Sequence, residues 1–132
     1  MTIVRSGPVS GQGIDKIFGF ESIVEGAVSN LSLPAGAGYV NGATVPSGKV
    51  WMITNAVIRY DGTGATLLQI YAYGLADYIV FFQQASPTTQ RWYPWCGEIY
   101  LQAGDYIRGD VIGNALNDDL YLRYGGVQMN AP

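Results

Sequence analysis

From Val50 onward, apolar residues come in short runs broken by Gly, Pro, Asn and Asp, and they never hold the helical spacing of about 3.6 residues for three turns. Within the runs apolar and polar positions alternate, and Val, Ile, Tyr and Thr dominate, as they do in half-buried strands. VWMITNAVIRY (50–60) is the clearest strand, ended by the turn DGTG (61–64) with ATLLQIYAYG (65–74) returning. After a break near 75–77 come YIVFFQQ (78–84), the loop ASPTTQ and the aromatic stretch RWYPW (91–95). EIYLQAGDYIRGDVIG (98–113) predicts two strands around QAGD, and LYLRYGGVQM (120–129) is a last strand after the polar turn NALNDD. Period two places Trp51, Ile53 and Val57 on one face of the 50–60 strand, expected to be the core face.

The first half is looser. Residues 1–16 (MTIVRSGPVSGQGIDK), rich in Gly, Ser and Pro, predict an N-terminal arm without a core of its own. IFGFESIVEG (17–26) suits a first strand, and residues 27–48 carry short β pairs, LSL and GYV, between Gly and Pro breaks, as edge strands or a long excursion. VPSGKVWMI (45–53) and LQAGDYIRG (101–109) share a turn pattern in which Gly48 and Gly104 supply positive φ at strand entry. The whole predicts an all-β fold, a single jelly-roll-like β-sandwich over 17–132 with the arm at 1–16 extended before it.

Composition narrows the function classes. In 132 residues only 13% are charged, against roughly 25% in an ordinary soluble domain, while 13% are aromatic and ten are tyrosine. A charge-poor, tyrosine-rich surface suits a chain that works against partners, and predicts a homo-oligomer. A net charge of −3 with scattered basic residues argues against nucleic acid as a partner. No apolar run is long enough for a membrane span, and the first residues lack the basic and apolar regions of an export signal, so synthesis in a reducing cytoplasm without export or membrane insertion is expected.

Catalysis is poorly provided for. Histidine is absent, which removes the commonest general base and metal ligand. The available acid pairs are Asp105 with Asp110 and Asp118 with Asp119; Asp105 follows a turn glycine and Asn117–Asp119 form a turn whose side chains satisfy local amides, so structural roles are expected for these acids. No cofactor, metal or catalytic residue is assigned; a surface calcium site at Asn117–Asp119 is a minor alternative. Cys96 has no nucleophile's partner and reads as a small buried hydrophobe. The binding candidates are Trp92, Tyr93 and Trp95 with Arg91 beside them, and Ile3 and Val4 in the arm. Pro94 keeps the aromatic run out of a central strand. Three readings stay open for it: a loop capping one end of the core, a protein contact, and a platform for sugar rings.

VPSGKVWMITNAVIRYDGTGATLLQIY, then IYLQAGDYIRGDV, then LYLRYGGVQM together resemble small jelly-roll virion proteins of tailed bacteriophages, over roughly residues 44–129. The shared features are the P-x-G-K-x-W strand entry and the L-x-A-G-D-x-I turn, at positions that form the fold (Pro46, Gly48, Trp51, Gly104, Asp105), so no residue-level role transfers. The resemblance implies a non-enzymatic capsid decoration (cement) protein on the virion, a homotrimer with the major capsid protein as its partner. The alternative within the same resemblance is a receptor- or glycan-binding domain of a fibre or tail tip, with 91–95 as its reading head.

Overall fold

A computed structural model describes residues 20–74 and 77–132. The 1–16 arm, with Ile3 and Val4, and the start of the expected first strand lie outside the described residues. Eight strands follow in order: β1 Phe20–Asn30, β2 Ala37–Asn41, β3 Lys49–Asp61, β4 Leu67–Tyr73, β5 Tyr78–Ala85, β6 Arg91–Gln102, β7 Tyr106–Ile112 and β8 Asp119–Asn130. They form two antiparallel four-stranded sheets, ordered β1-β8-β3-β6 and β2-β7-β4-β5. Only β4 and β5 are both consecutive and paired; every other connection crosses between sheets, which is the jelly-roll arrangement.

That topology corrects two local readings. The strand after DGTG returns from β3 but does not pair with it: β4 crosses to the opposite sheet, beside β5 and β7. The QAGD turn likewise carries the chain from β6 in one sheet to β7 in the other. Asp and Gly reverse the chain equally well in either case, so turn residues alone do not identify the pairing partner. In the looser half, GYV does lie in an edge strand, β2, but LSL is loop: Leu33 is fully buried while Leu31 is largely exposed. Backbone bonds from Leu33 N to Asp118 O (3.2 Å) and from Asn117 N to Leu33 O (2.8 Å) hold that loop on the NALNDD turn.

The two similar turns behave as their glycines require, with φ of 77° at Gly48 and 91° at Gly104. Each is closed by an i to i+3 bond, Lys49 N to Pro46 O (3.2 Å) and Asp105 N to Gln102 O (3.0 Å). They also lie side by side, joined through Val45 N to Asp105 O and Gly104 N to Val45 O, both 2.9 Å.

Apolar residues of both inner faces fill the sandwich, among them Trp51, Ile53, Ile58 and Leu122 from one sheet and Leu68, Ile70, Ile107 and Val111 from the other. Register changes within β3. Both ladders of this strand skip Thr54, a bulge that moves the core face from Trp51 and Ile53 to Ala56, Ile58 and Tyr60. Val57, expected inside with Trp51, is therefore only half-buried and belongs to the outer face. Across the bulge the strands approach so closely that a Cβ on Gly126 would stand 2.0 Å from the Met52 carbonyl oxygen, which leaves glycine as the side chain that fits.

Candidate functional site

The aromatic run at 91–95 is neither a loop nor a cap. All five residues lie in β6, the outermost strand of its sheet, where Pro94 opposite Val57 is tolerated because one side of the strand has no ladder to supply. Strand alternation then separates the aromatics. Tyr93 points into the core, its hydroxyl accepting from Thr88 N at 2.8 Å, and that amide bond holds the phenol below its ordinary pKa. Trp95 also turns inward and packs on Phe81 of the opposite sheet, with ring centroids 4.5 Å apart. Trp92 faces outward, and Arg91 is exposed with its guanidinium 5.3 Å from the Tyr93 ring. The four candidates thus do not form one reading head; Trp92 alone joins the outer face. Cys96 is exposed, not buried, because it too alternates outward on this edge strand.

Register builds a cluster around Trp92. Tyr121, Arg59 and Trp92 stand in one row across β8, β3 and β6. Arg59 is fixed by a two-pronged pair with Asp61, Nε to Oδ1 at 2.8 Å and Nη2 to Oδ2 at 2.9 Å, which raises the guanidinium pKa further. Its charge lies 5.7 Å from the centroids of both flanking rings. From the next row Arg123, exposed and outside the two ion pairs found among the described residues, lies 4.9 Å from the Trp92 centroid. Beside this cluster runs an open groove of about 800 Å³, walled by Ile23, Val57, Arg123 and Val127. It exists because Gly125 and Ala27 leave the middle of the sheet bare of large side chains.

A second cluster lies on the outer face of β2-β7-β4-β5 and is one that sequence reasoning missed. Arg108 of β7 sits with its guanidinium 4.2 Å from the Tyr39 centroid and 4.6 Å from that of Tyr73, with Tyr71 and Tyr106 at 6.0 and 5.8 Å. Its Nε donates to Asn41 Oδ1 at 2.7 Å. Tyr106, Tyr73 and Tyr78 form a row of near-parallel rings across three strands, at interplanar angles of 23° and 13°. Burial pushes the Tyr71 phenol and the Asp110 carboxyl above their ordinary pKa values. The alternation Tyr71, Tyr73 and Tyr106, Arg108, Asp110 was the available signal; the pairing of β4 with β7 turns it into a patch.

Of the four acids considered for catalysis, Asp105 and Asp118 are tied to the backbone, while Asp110 lies within β7 on the outer face and not at a turn. Asp105 Oδ2 accepts from Gln102 N at 3.0 Å. Asp118 Oδ2 accepts from the Tyr60 hydroxyl and from the amides of Ala115 (2.8 Å) and Thr63 (3.2 Å). Burial works against its charge, yet these donors hold its pKa below the ordinary carboxylate range, while burial and the adjacent Asp118 push the Tyr60 phenol far up. Among the described residues no three His, Cys, Asp or Glu side chains come together as a metal site.

No family model and no curated protein matches the chain. Solved structures of similar fold include one of the disulfide-linked pili of Bacillus endospore appendages, at 15% identity over 86% of this chain and 94% of that one, with a TM-score of 0.40. Another is from infectious bursal disease virus Gt strain, at 14% identity and a TM-score of 0.36; the match takes in 82% of this chain and only 33% of the viral one. A CBM4 structure matches at 13% identity over 86% and 92% of the two chains, with a TM-score of 0.26.

Proposed function

We propose that the chain is a non-enzymatic structural protein of a virion, a capsid decoration protein that binds the assembled shell through the outer face of β1-β8-β3-β6. The observation that carries this reading is the Trp92 cluster: an outward tryptophan and tyrosine flanking Arg59, with Arg123 against the tryptophan, on a sheet face that is open to solvent. Trp, Tyr and Arg dominate binding energy at protein interfaces. Here Arg59 is already oriented by Asp61, so less side-chain entropy is lost on docking. Charged residues occur on every strand of this sheet, which fits a charged, irregular partner surface such as a shell of capsid proteins. The jelly-roll order agrees with the fold that the phage resemblance implies. A homotrimer, with residues 1–16 adding contact on the shell through Ile3 and Val4, completes the proposal. Such a protein stabilises the shell by mass action, because it binds assembled subunits and not free ones.

Co-sedimentation with assembled capsids of the parent phage tests this. The parent protein pellets with the shell; Trp92→Ala and Arg123→Ala, both on the outer face, melt close to the parent but stay in the supernatant, and deletion of 1–16 weakens binding. If the two outer-face variants pellet like the parent, the shell does not use this face. If the parent itself fails to pellet, the decoration reading falls.

A further inference from the structure

We infer that the outer face of β2-β7-β4-β5 is a binding site for a neutral glycan chain, with Tyr73, Tyr78 and Tyr106 forming a track and Arg108 and Asp110 reading sugar hydroxyls. This goes beyond shell binding, because it uses the opposite sheet and a ligand of another class.

Charge sets the two faces apart. The four strands of this sheet contain only two charged residues, Arg108 and Asp110, both outward on β7 and of opposite sign. An anionic polymer would meet a lone cation beside an anion, so the face is electrostatically matched to a neutral ligand. A pyranose is amphipathic, with C–H faces and hydroxyl edges, and tyrosine offers both an apolar ring and a polar handle. The ring row has centroid spacings of 5.3 and 6.3 Å, the length scale of one sugar unit, and ends at Tyr78, which is 59% exposed.

The polar groups beside the row are placed to recognise a diol. Arg108 is held by Asn41 and, at 3.3 Å, by the Tyr106 hydroxyl, which pre-orients a planar donor. Asp110 is one register row further along, opposite Tyr39 and Gln69, and supplies acceptors only. Its carboxylate makes no ion pair among the described residues and is partly desolvated, so it gains from hydroxyl donors.

Native affinity electrophoresis decides it, with gels containing dextran, galactomannan or hydroxyethylcellulose as neutral polymers and alginate or heparin as anionic ones. The parent protein is retarded in at least one neutral gel and in neither anionic gel. Tyr78→Ala and Asp110→Asn, whose folding is checked by melting, weaken the retardation at least tenfold, while Trp92→Ala leaves it unchanged. Free migration in all neutral gels, retardation only in alginate or heparin, or neutral retardation indifferent to Tyr78→Ala each overturns the inference. So does light scattering showing that an oligomer of the parent is dissolved by Tyr78→Ala, since a second copy would then own this face.

Discussion

Asp118 is where one side chain holds three segments together, and its removal is the sharpest test of how the loop end of the sandwich is built. A single oxygen, Oδ2, accepts from the Tyr60 hydroxyl at the end of β3, from Thr63 N in the crossover to β4 and from Ala115 N in the turn before β8. Bonds to a carboxylate contribute roughly 1.5 to 3 kcal/mol each. Two of the donors are exposed amides that water will satisfy, and the Tyr60 hydroxyl, 1% exposed as a residue, keeps the Thr63 carbonyl at 2.8 Å as a second acceptor. Asp118→Ala should therefore cost about 2 to 3 kcal/mol and not the sum of three bonds. In a domain of this size that lowers Tm by roughly 6 to 15 °C, measured by calorimetry at neutral pH. The contribution depends on pH with a definite sign. Because the folded pKa is depressed, the stabilisation is fully present above the unfolded carboxylate value of about 3.9 and is lost as pH falls through the folded value below it. The gap in Tm between the parent and Asp118→Asn should hold from neutral pH down to that range and close at still lower pH. A variant that melts within 2 °C of the parent, or a gap that does not change with acid, would refute the assignment of Asp118 as the tie.

Three other outcomes are expected. Trp51→Ala should cost about 3 to 5 kcal/mol, since the indole is 7% exposed and its Nε1 donates to Gln128 Oε1 at 2.8 Å, while Val57→Ala, on the outer face beyond the bulge, should cost well under half of that in urea unfolding. Cys96→Ser and Cys96→Ala should both melt with the parent, and the native thiol should react with a thiol reagent as fully as it does in denaturant. Asp110→Asn should leave Tm unchanged or raise it at neutral pH, because a carboxyl whose folded pKa is raised destabilises the fold when ionised; a clear loss of Tm would mean that the charge has a structural partner.

How much of this was legible depends on the range of each cause. The turns at Gly48 and Gly104 were readable because a left-handed residue beside a strand start is a local demand, and glycine meets it. The alternation of VWMITNAVIRY gave the strand, and Trp51 and Ile53 as core, but nothing in those letters marks Thr54 as the residue that both neighbouring strands skip. Val57 was misplaced for that reason alone, since one extra residue inverts every later face. Cys96 was taken as buried from residue type, and edge-strand alternation decides otherwise. The cluster at Arg108 showed only as alternation within single strands, for a different reason. Tyr39, Tyr73 and Arg108 are far apart in sequence, and only the β2-β7-β4 pairing, set by crossovers between sheets, brings them onto one face.

Pro94 and the disposition of edges bear on how such a molecule associates. Each sheet ends in strands that have one unpaired side, and an open edge invites another chain to add a strand. On β6, Pro94 has no amide hydrogen to offer, and the register with β3 is broken again between Ile99 and Cys96. Two interruptions in twelve residues leave no long run of free donors and acceptors on that side. On β6, therefore, side chains and not a backbone ladder are what the strand offers to a neighbour. The two faces then differ in kind: one carries ionic and aromatic groups beside a groove, the other tyrosines with a single balanced pair of charges. Recognition by faces separates the specificity of each surface from the backbone ladder that holds the fold, so Trp92 or Tyr78 can be changed without touching a core contact. The two proposed sites rest on that separation, one on each sheet face.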